Sequence, residues 1–151
     1  MCNGGNMKIY LASSWKNDKK VKEWQYELKK IGHEVDAFCN DSDGRYVFHF
    51  SEIGDPRTLD AISFLEDGRT QKAFKEDKKW IDWCDCVILI LPAGKSSHLE
   101  AGYAKGKGKL LVIYQAMFPL GEFDVMYGFA DIVTESTAAV LDFLNSKDVK
   151  R

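Results

Sequence analysis

CVILILPAGKSSHLEAGYAKGKGKLLVIY, residues 86–114, decides the fold class. Residues 86–91 form an unbroken apolar run with three β-branched side chains, Val87, Ile88 and Ile90. That is the pattern of a strand covered on both faces, as in a parallel sheet. Pro92, Ala93 and Gly94 close it. Ser97 stands where a helix N-cap would, Ala101 and Ala104 favour helix, and Gly106 and Gly108 stop it. Leu110–Tyr114 then reads as the next buried strand. The unit is strand, loop, helix, strand. In open α/β sheets the ligand site lies at the carboxyl ends of the strands, which puts Glu100 at the mouth of the expected site.

The same alternation extends in both directions. Lys8–Ala12 is a short strand, and Asn17 is placed to cap a helix whose stripe Val21, Trp24, Leu28, Ile31 recurs at helical spacing. Gly32 ends that helix, and 34–38 makes a second strand. Residues 40–68 are aromatic and punctuated by Gly44, Gly54, Pro56 and Gly68. A connection of that length is functional or carries short helices of its own. Residues 71–84 are helical, and Ile132–Thr134 with a Ser136-capped helix (Val140, Leu141, Phe143, Leu144) closes the chain. Five strands alternating with helices predict an α/β domain of three layers, with a five-stranded parallel sheet in the flavodoxin-like order 2-1-3-4-5. That single domain is expected over 7–151, with 1–6 a flexible N-terminal extension ahead of Met7.

With 151 residues, 45% of them apolar, the chain is long enough to bury one core. A net charge of −2 and a pI near 5.9 give no electrostatic case for nucleic acid or a membrane surface. The apolar runs are too short to span a bilayer, and MCNGGNMK lacks the apolar stretch of a signal peptide, so a cytoplasmic location is expected. Cys2, Cys39, Cys84 and Cys86 show no paired metal spacing and are expected as reduced, mostly buried thiols. Neither a metal nor a redox cofactor is implied.

Two carboxylates stand out. Ser97-x-x-Glu100 fits a capping box, in which Glu100 reaches back to the Ser97 N–H. Alternatively, Glu100 is a carboxylate kept ionised by the helix start and available as a nucleophile. Asp77 falls on the stripe Phe74, Asp77, Ile81, Cys84, which should face the sheet. If it faces inward, desolvation should raise its pKa, and if it lies at the edge it points to solvent. Two carboxylates with divergent pKa values are the pattern of glycosidic-bond chemistry. A hydrolase dyad from Ser96, Ser97 and His98 is disfavoured, because neighbours at a helix start do not face one another. His33 reads as structural. Trp15, Phe38, Phe48, His49 and Phe50 flank strand ends or occupy the long connection, where an aromatic could stack on a base or serve as packing.

LPAGKSSHLEAGYAKGKGK, with KIYLASSW near the start, FxxDxxxIxxxD before the central strand and FDVMYGFAD near the end, resembles the nucleoside 2-deoxyribosyltransferases. The resemblance runs over about 7–144. It implies that Glu100 attacks the anomeric carbon, that Tyr10 orients Glu100, and that Asp77 hydrogen-bonds or protonates the leaving base. It also implies that the segment at Asp124 and Met126 reaches into a neighbouring subunit's site, and hence a dimer or larger homo-oligomer. The partners implied are a nucleoside or nucleotide and a free nucleobase.

The chain departs from that family in the loop before Glu100, where an acidic residue would hold a free 5′-hydroxyl. Here stand Gly94, Lys95, Ser96 and Ser97. A lysine, hydroxyls and helix-start amides suit a 5′-phosphate, which resembles the related nucleoside 5′-monophosphate N-glycosidases, although Asp124 would repel one. A non-catalytic nucleotide-binding module on the same fold is the competing class.

Overall fold

The computed structural model describes residues 5–40 and 44–147. Its strands are β1 (Lys8–Ala12), β2 (Glu34–Ala37), β3 (Cys86–Ile90), β4 (Leu110–Tyr114) and β5 (Ile132–Thr134). All pair in parallel in the order β2-β1-β3-β4-β5, as the alternation predicts. The helices are α1 (Asp18–Lys30), α2 (Ala61–Glu66), α3 (Gly68–Trp83), α4 (Lys95–Gly106) and α5 (Thr137–Asn145). Residues 1–4 of the expected extension, and Cys2 with them, lie outside the described residues.

Strand side chains alternate between two apolar layers. Ile9, Leu11, Ile88, Ile90 and Val112 pack with Val21, Trp24 and Leu28 of α1 and Val140 and Leu144 of α5. Tyr10, Ala12, Val87, Leu89, Leu111 and Ile113 pack with Ile81 of α3, Cys84, and Ala101 and Ala104 of α4. Covered on both sides, β3 has every residue buried. Gly32 and Gly108 end α1 and α4 with φ of +105° and +82°. In each case the next residue's N–H reaches back five residues, His33 to Leu28 and Lys109 to Ala104, a closure that needs a left-handed residue. His33 is buried, and its Nδ1 accepts from the Met7 N–H, in keeping with a structural role.

Several local expectations are corrected. Asn17 does not cap α1 through its side chain; its amide donates to Pro92 O at 2.7 Å and Ser13 Oγ at 3.1 Å. Ser13 Oγ donates in turn to Ile90 O. These bonds tie the ends of β1 and β3 together where their connections leave for opposite faces. Ile31 is past the helix end and half exposed. The helix expected over 71–84 begins three residues earlier, at Gly68, because Asp67 caps it by accepting from Arg69 N. Phe74 is 64% exposed and drops out of the expected stripe, while Thr70, one turn before it, is buried. The long connection carries α2 and a 3-10 turn at Phe50–Glu52. Cys39, Cys84 and Cys86 are buried free thiols, and no helix among the described residues is long and apolar enough to cross a membrane.

Candidate active site

Helix α4 begins three residues earlier than the sequence suggests. Gly94 is its cap, with no side-chain bond, and Ser97 is the third helical residue, buried at 4% exposure. The capping box is therefore not formed. Glu100 sits in the second turn, beyond the first-turn amides that a capping acid would serve. Ser97 is buried while His98 is exposed and its Nδ1 lies 2.7 Å from Gly94 O, so no Ser-His dyad forms either.

Helix α4 lies across β3, β4 and β1, and this brings Glu100 to Tyr10 in the middle of β1. Tyr10 is completely buried. Its hydroxyl and Glu100 Oε2 both lack a hydrogen-bond partner, so the two groups are close enough to act on each other electrostatically without a well-formed bond. Burial lifts the Glu100 carboxyl to about 7; Tyr10 opposes the rise, as does Arg45, while Asp77 and Asp36 add to it. The expectation of a carboxylate kept ionised by the helix start is thus overturned. The dipole acts mainly over the first turn, and Glu100 is past it in a desolvated position. Burial first, then the charge of Glu100, pushes the Tyr10 phenol well above its ordinary value.

Asp77 stands at the edge of the layer, its side chain partly exposed but turned towards a buried arginine. Arg45 Nη2 donates to Asp77 Oδ1 at 2.8 Å, while Arg45 Nε lies 3.0 Å from both oxygens of Asp36. Burial raises the Asp77 carboxyl, and Arg45 opposes that rise. Burial likewise lifts Asp36 to about 6 against the pull of Arg45. The rise expected of a desolvated Asp77 is thus found, but the divergence read from the sequence is not, because Glu100, with no ion-pair partner, is raised as well. Neither Arg45 nor Asp36 was singled out in the sequence. One signal was available, since Asp36 interrupts an apolar strand. It pairs in register with Tyr10, and residues in register on neighbouring strands share a face, so it belongs to the Glu100 side of the sheet.

Other expected site residues are distributed around this cluster. Trp15 opens the 3-10 turn after β1, its ring edge-on to Phe38 at 5.0 Å and tilted against His49 at 4.6 Å. Together they form a partly exposed aromatic wall. Phe48 packs instead between Tyr46 and Phe64. Lys95 and Ser96 are exposed at the start of α4, with Gly94 before them. Asp124 and Met126 lie on the surface, where Asp124 caps the 3-10 helix Val125–Phe129 by accepting from Met126 N at 2.7 Å. The structure of one chain does not bring that pair into the carboxylate cluster. An open recess of about 600 Å³, lined by Arg45, Tyr46, His49, Lys72 and Glu76 among others, adjoins the cluster at Arg45. Among the described residues, no group of three or more His, Cys, Asp or Glu is placed to hold a metal ion.

No protein-family model matches the chain, and no curated protein sequence does. Solved structures do. A 2-deoxyribosyltransferase of the psychrotolerant bacterium Bacillus psychrosaccharolyticus superposes with a TM-score of 0.63 at 21% identity, over 95% of this chain and 99% of that one. The CMP N-glycosidase BcmB of Clostridium botulinum superposes with a TM-score of 0.56 at 17% identity, over 91% of this chain and 98% of that one. The shared property at such identities is the fold.

Proposed function

We propose that this protein cleaves the N-glycosidic bond of 2′-deoxynucleosides through a glycosyl ester on Glu100 and passes the deoxyribosyl group to another nucleobase. The observation that carries the reading is a glutamate whose Oε2 is buried without a well-formed hydrogen bond against a buried tyrosine. A second acid, Asp77, is held beside them at the edge of the same layer. A Glu100 oxygen forms a bond to C1′ as the C1′–N bond breaks and its electron pair leaves with the base. Asp77 acts electrostatically on Glu100, and the reaction uses an anionic Glu100 beside a protonated Asp77. That arrangement supplies both the nucleophile and the proton for the departing base. A nitrogen of a second base then attacks C1′ and restores Glu100; water in its place makes the protein a hydrolase. The fold shared with a deoxyribosyltransferase and an N-glycosidase supports both outcomes. The test is a panel of deoxynucleosides and their monophosphates, with and without a second base, with the glycosyl ester on Glu100 sought by mass spectrometry. Intact binding without base release throughout would leave the non-catalytic module standing.

The start of α4 favours a second reading, hydrolysis of 2′-deoxynucleoside 5′-monophosphates. Its first-turn amides are not capped by a side chain, and Lys95 and Ser96 are exposed beside them, whereas Ser97, expected with Lys95 at the phosphate, is buried. Amides and a lysine at a helix start suit a phosphate dianion. On this reading Lys95→Ala lowers kcat/KM for the monophosphate about tenfold to a hundredfold and leaves the nucleoside unchanged. Equal effects on both substrates, or nucleosides preferred throughout, would remove the phosphate and leave Asp124 as the partner of a free 5′-hydroxyl.

The surface also favours self-association. Leu120, Phe123 and Val125 are almost fully exposed, and Met126 and Phe129 are more than half exposed. Contiguous apolar surface of this kind marks an interface. We expect a dimer or larger homo-oligomer that covers 123–129 and brings Asp124 and Met126 to a neighbouring site. Light scattering checks this: a fully active monomer at assay concentration would refute a shared site.

A further inference from the structure

The geometry points to Arg45 as a positioning residue that spans two carboxylates. Asp36 clamps its Nε through both oxygens, and its Nη2 fixes one oxygen of Asp77, leaving the other oxygen to the substrate. The inference rests on the proposed base-release reaction and adds the group that aims its second acid.

The three side chains differ in exposure in a way that assigns the roles. Those of Arg45 and Asp36 are 2% and 4% exposed, whereas that of Asp77 is 38% exposed. The inner pair is an anchor and Asp77 is the end that meets the outside. Buried ion pairs add little net stability, because desolvation offsets their attraction, and apolar packing of equal volume often does better. Three charged groups in an otherwise apolar layer are therefore weakly explained by stability alone. They are better explained by what they hold, since Arg45 and Asp36 also act on Glu100 with opposite sign. The guanidinium fork matters here. A lysine keeps the charge but is a single point, unable to satisfy Asp36 in two contacts and Asp77 in a third.

The anchor also sets the ionisation of the cluster. The charged and titratable groups facing Asp77 and Glu100 are Tyr10 from β1, Asp36 from β2, Arg45 from the connection after β2, and Glu76 from α3 itself. Arg45 is the one cation in that set. Replacing it with a neutral side chain raises the pKa values of both Asp77 and Glu100. Replacing Asp36 with asparagine removes an anion that raises Glu100, and leaves Arg45 acting more fully on Asp77.

The experiment compares Arg45→Lys, Arg45→Met and Asp36→Asn with the parent. Two readouts are used: the pH profile of base release, and the titration of the Asp77 and Glu100 carboxyl carbons by NMR. Arg45→Lys is expected to lower kcat about tenfold to a hundredfold with KM nearly unchanged, at a profile close to the parent's. Arg45→Met should move the acidic limb to higher pH and Asp36→Asn to lower pH. A merely structural anchor would weaken both variants without moving their limbs in opposite directions. Unchanged kcat in Arg45→Lys, or limbs moving together or not at all, would overturn the inference while base release by the parent upheld the reaction. If the parent releases no base from any substrate, the reaction fails and the NMR titrations alone judge Arg45. Should Arg45→Met fail to fold, Arg45→Lys and Asp36→Asn decide.

Discussion

Glu100→Gln is expected to lose base release by roughly 10⁴-fold or more, because an amide cannot form the glycosyl ester. The same variant should be more stable than the parent at alkaline pH. The Glu100 carboxyl is lifted from the ordinary value of 4.5 to about 7 in the folded chain, chiefly by burial. A carboxyl raised on folding binds more protons in the native state than in the unfolded state between those two values. Its contribution is therefore absent below the unfolded value, and turns unfavourable as pH rises towards 7. Above 7 the cost is fully present, and the gap corresponds to about 3 kcal/mol. Glutamine never ionises, so the two proteins should match in stability near pH 4 and separate above pH 7. Denaturant unfolding at the two ends of that range checks this, alongside base release. Near-normal turnover would refute the nucleophile. Lost activity with no gain in alkaline stability would mean that Glu100 is not the desolvated acid the structure places against Tyr10.

Asp77→Asn carries the second large effect. Asparagine keeps an oxygen able to accept from Arg45 Nη2, so the anchor to Asp36 survives. What it loses is the capacity to hold or give a proton. Positioned acids and bases contribute about 10²–10⁴-fold, and a loss in kcat of that order is expected, with smaller change in KM. Substrates whose departing base is already a good leaving group should suffer least, because they need the proton least. Measured across a series of bases of different acidity, the variant should therefore show a steeper dependence on leaving group than the parent. An unchanged slope with lowered kcat would confine Asp77 to holding the base rather than moving its proton. Removal of its charge should also lower the pKa of Glu100, since Asp77 is an anion that raises it. The rising limb of activity should accordingly move to lower pH.

The layers and strand order were legible from the chain because buried parallel strands are continuous apolar runs, separated here by glycine and by periodic helices. β3 needs no context to be read: every residue from Cys86 to Ile90 is apolar and every one is buried. The position of Glu100 after that strand followed from the same run. Local capping chemistry was legible at Ser136, which accepts from Ala139 N as expected. It misled at Ser97, where the chain turns into helix from Gly94 and no side chain is required to start it.

What only the tertiary structure decided is the electrostatics of the cluster. Arg45 lies 9 residues from Asp36 and 32 from Asp77 along the chain, in a stretch with no regular period. No spacing rule joins such residues; the path of the connection after β2 does. The protonation of Glu100 depends in the same way on how far α4 presses it onto Tyr10, and desolvation of that kind is a property of the packed layers rather than of neighbouring residues. Sequence determined that a carboxylate would follow a buried strand of a parallel sheet, in the helix that leaves its carboxyl end. Packing decided that one of its oxygens would be buried without a partner, that its pKa would rise, and that an acid held by a buried arginine would act on it, because those outcomes are set by which groups folding removes from water together.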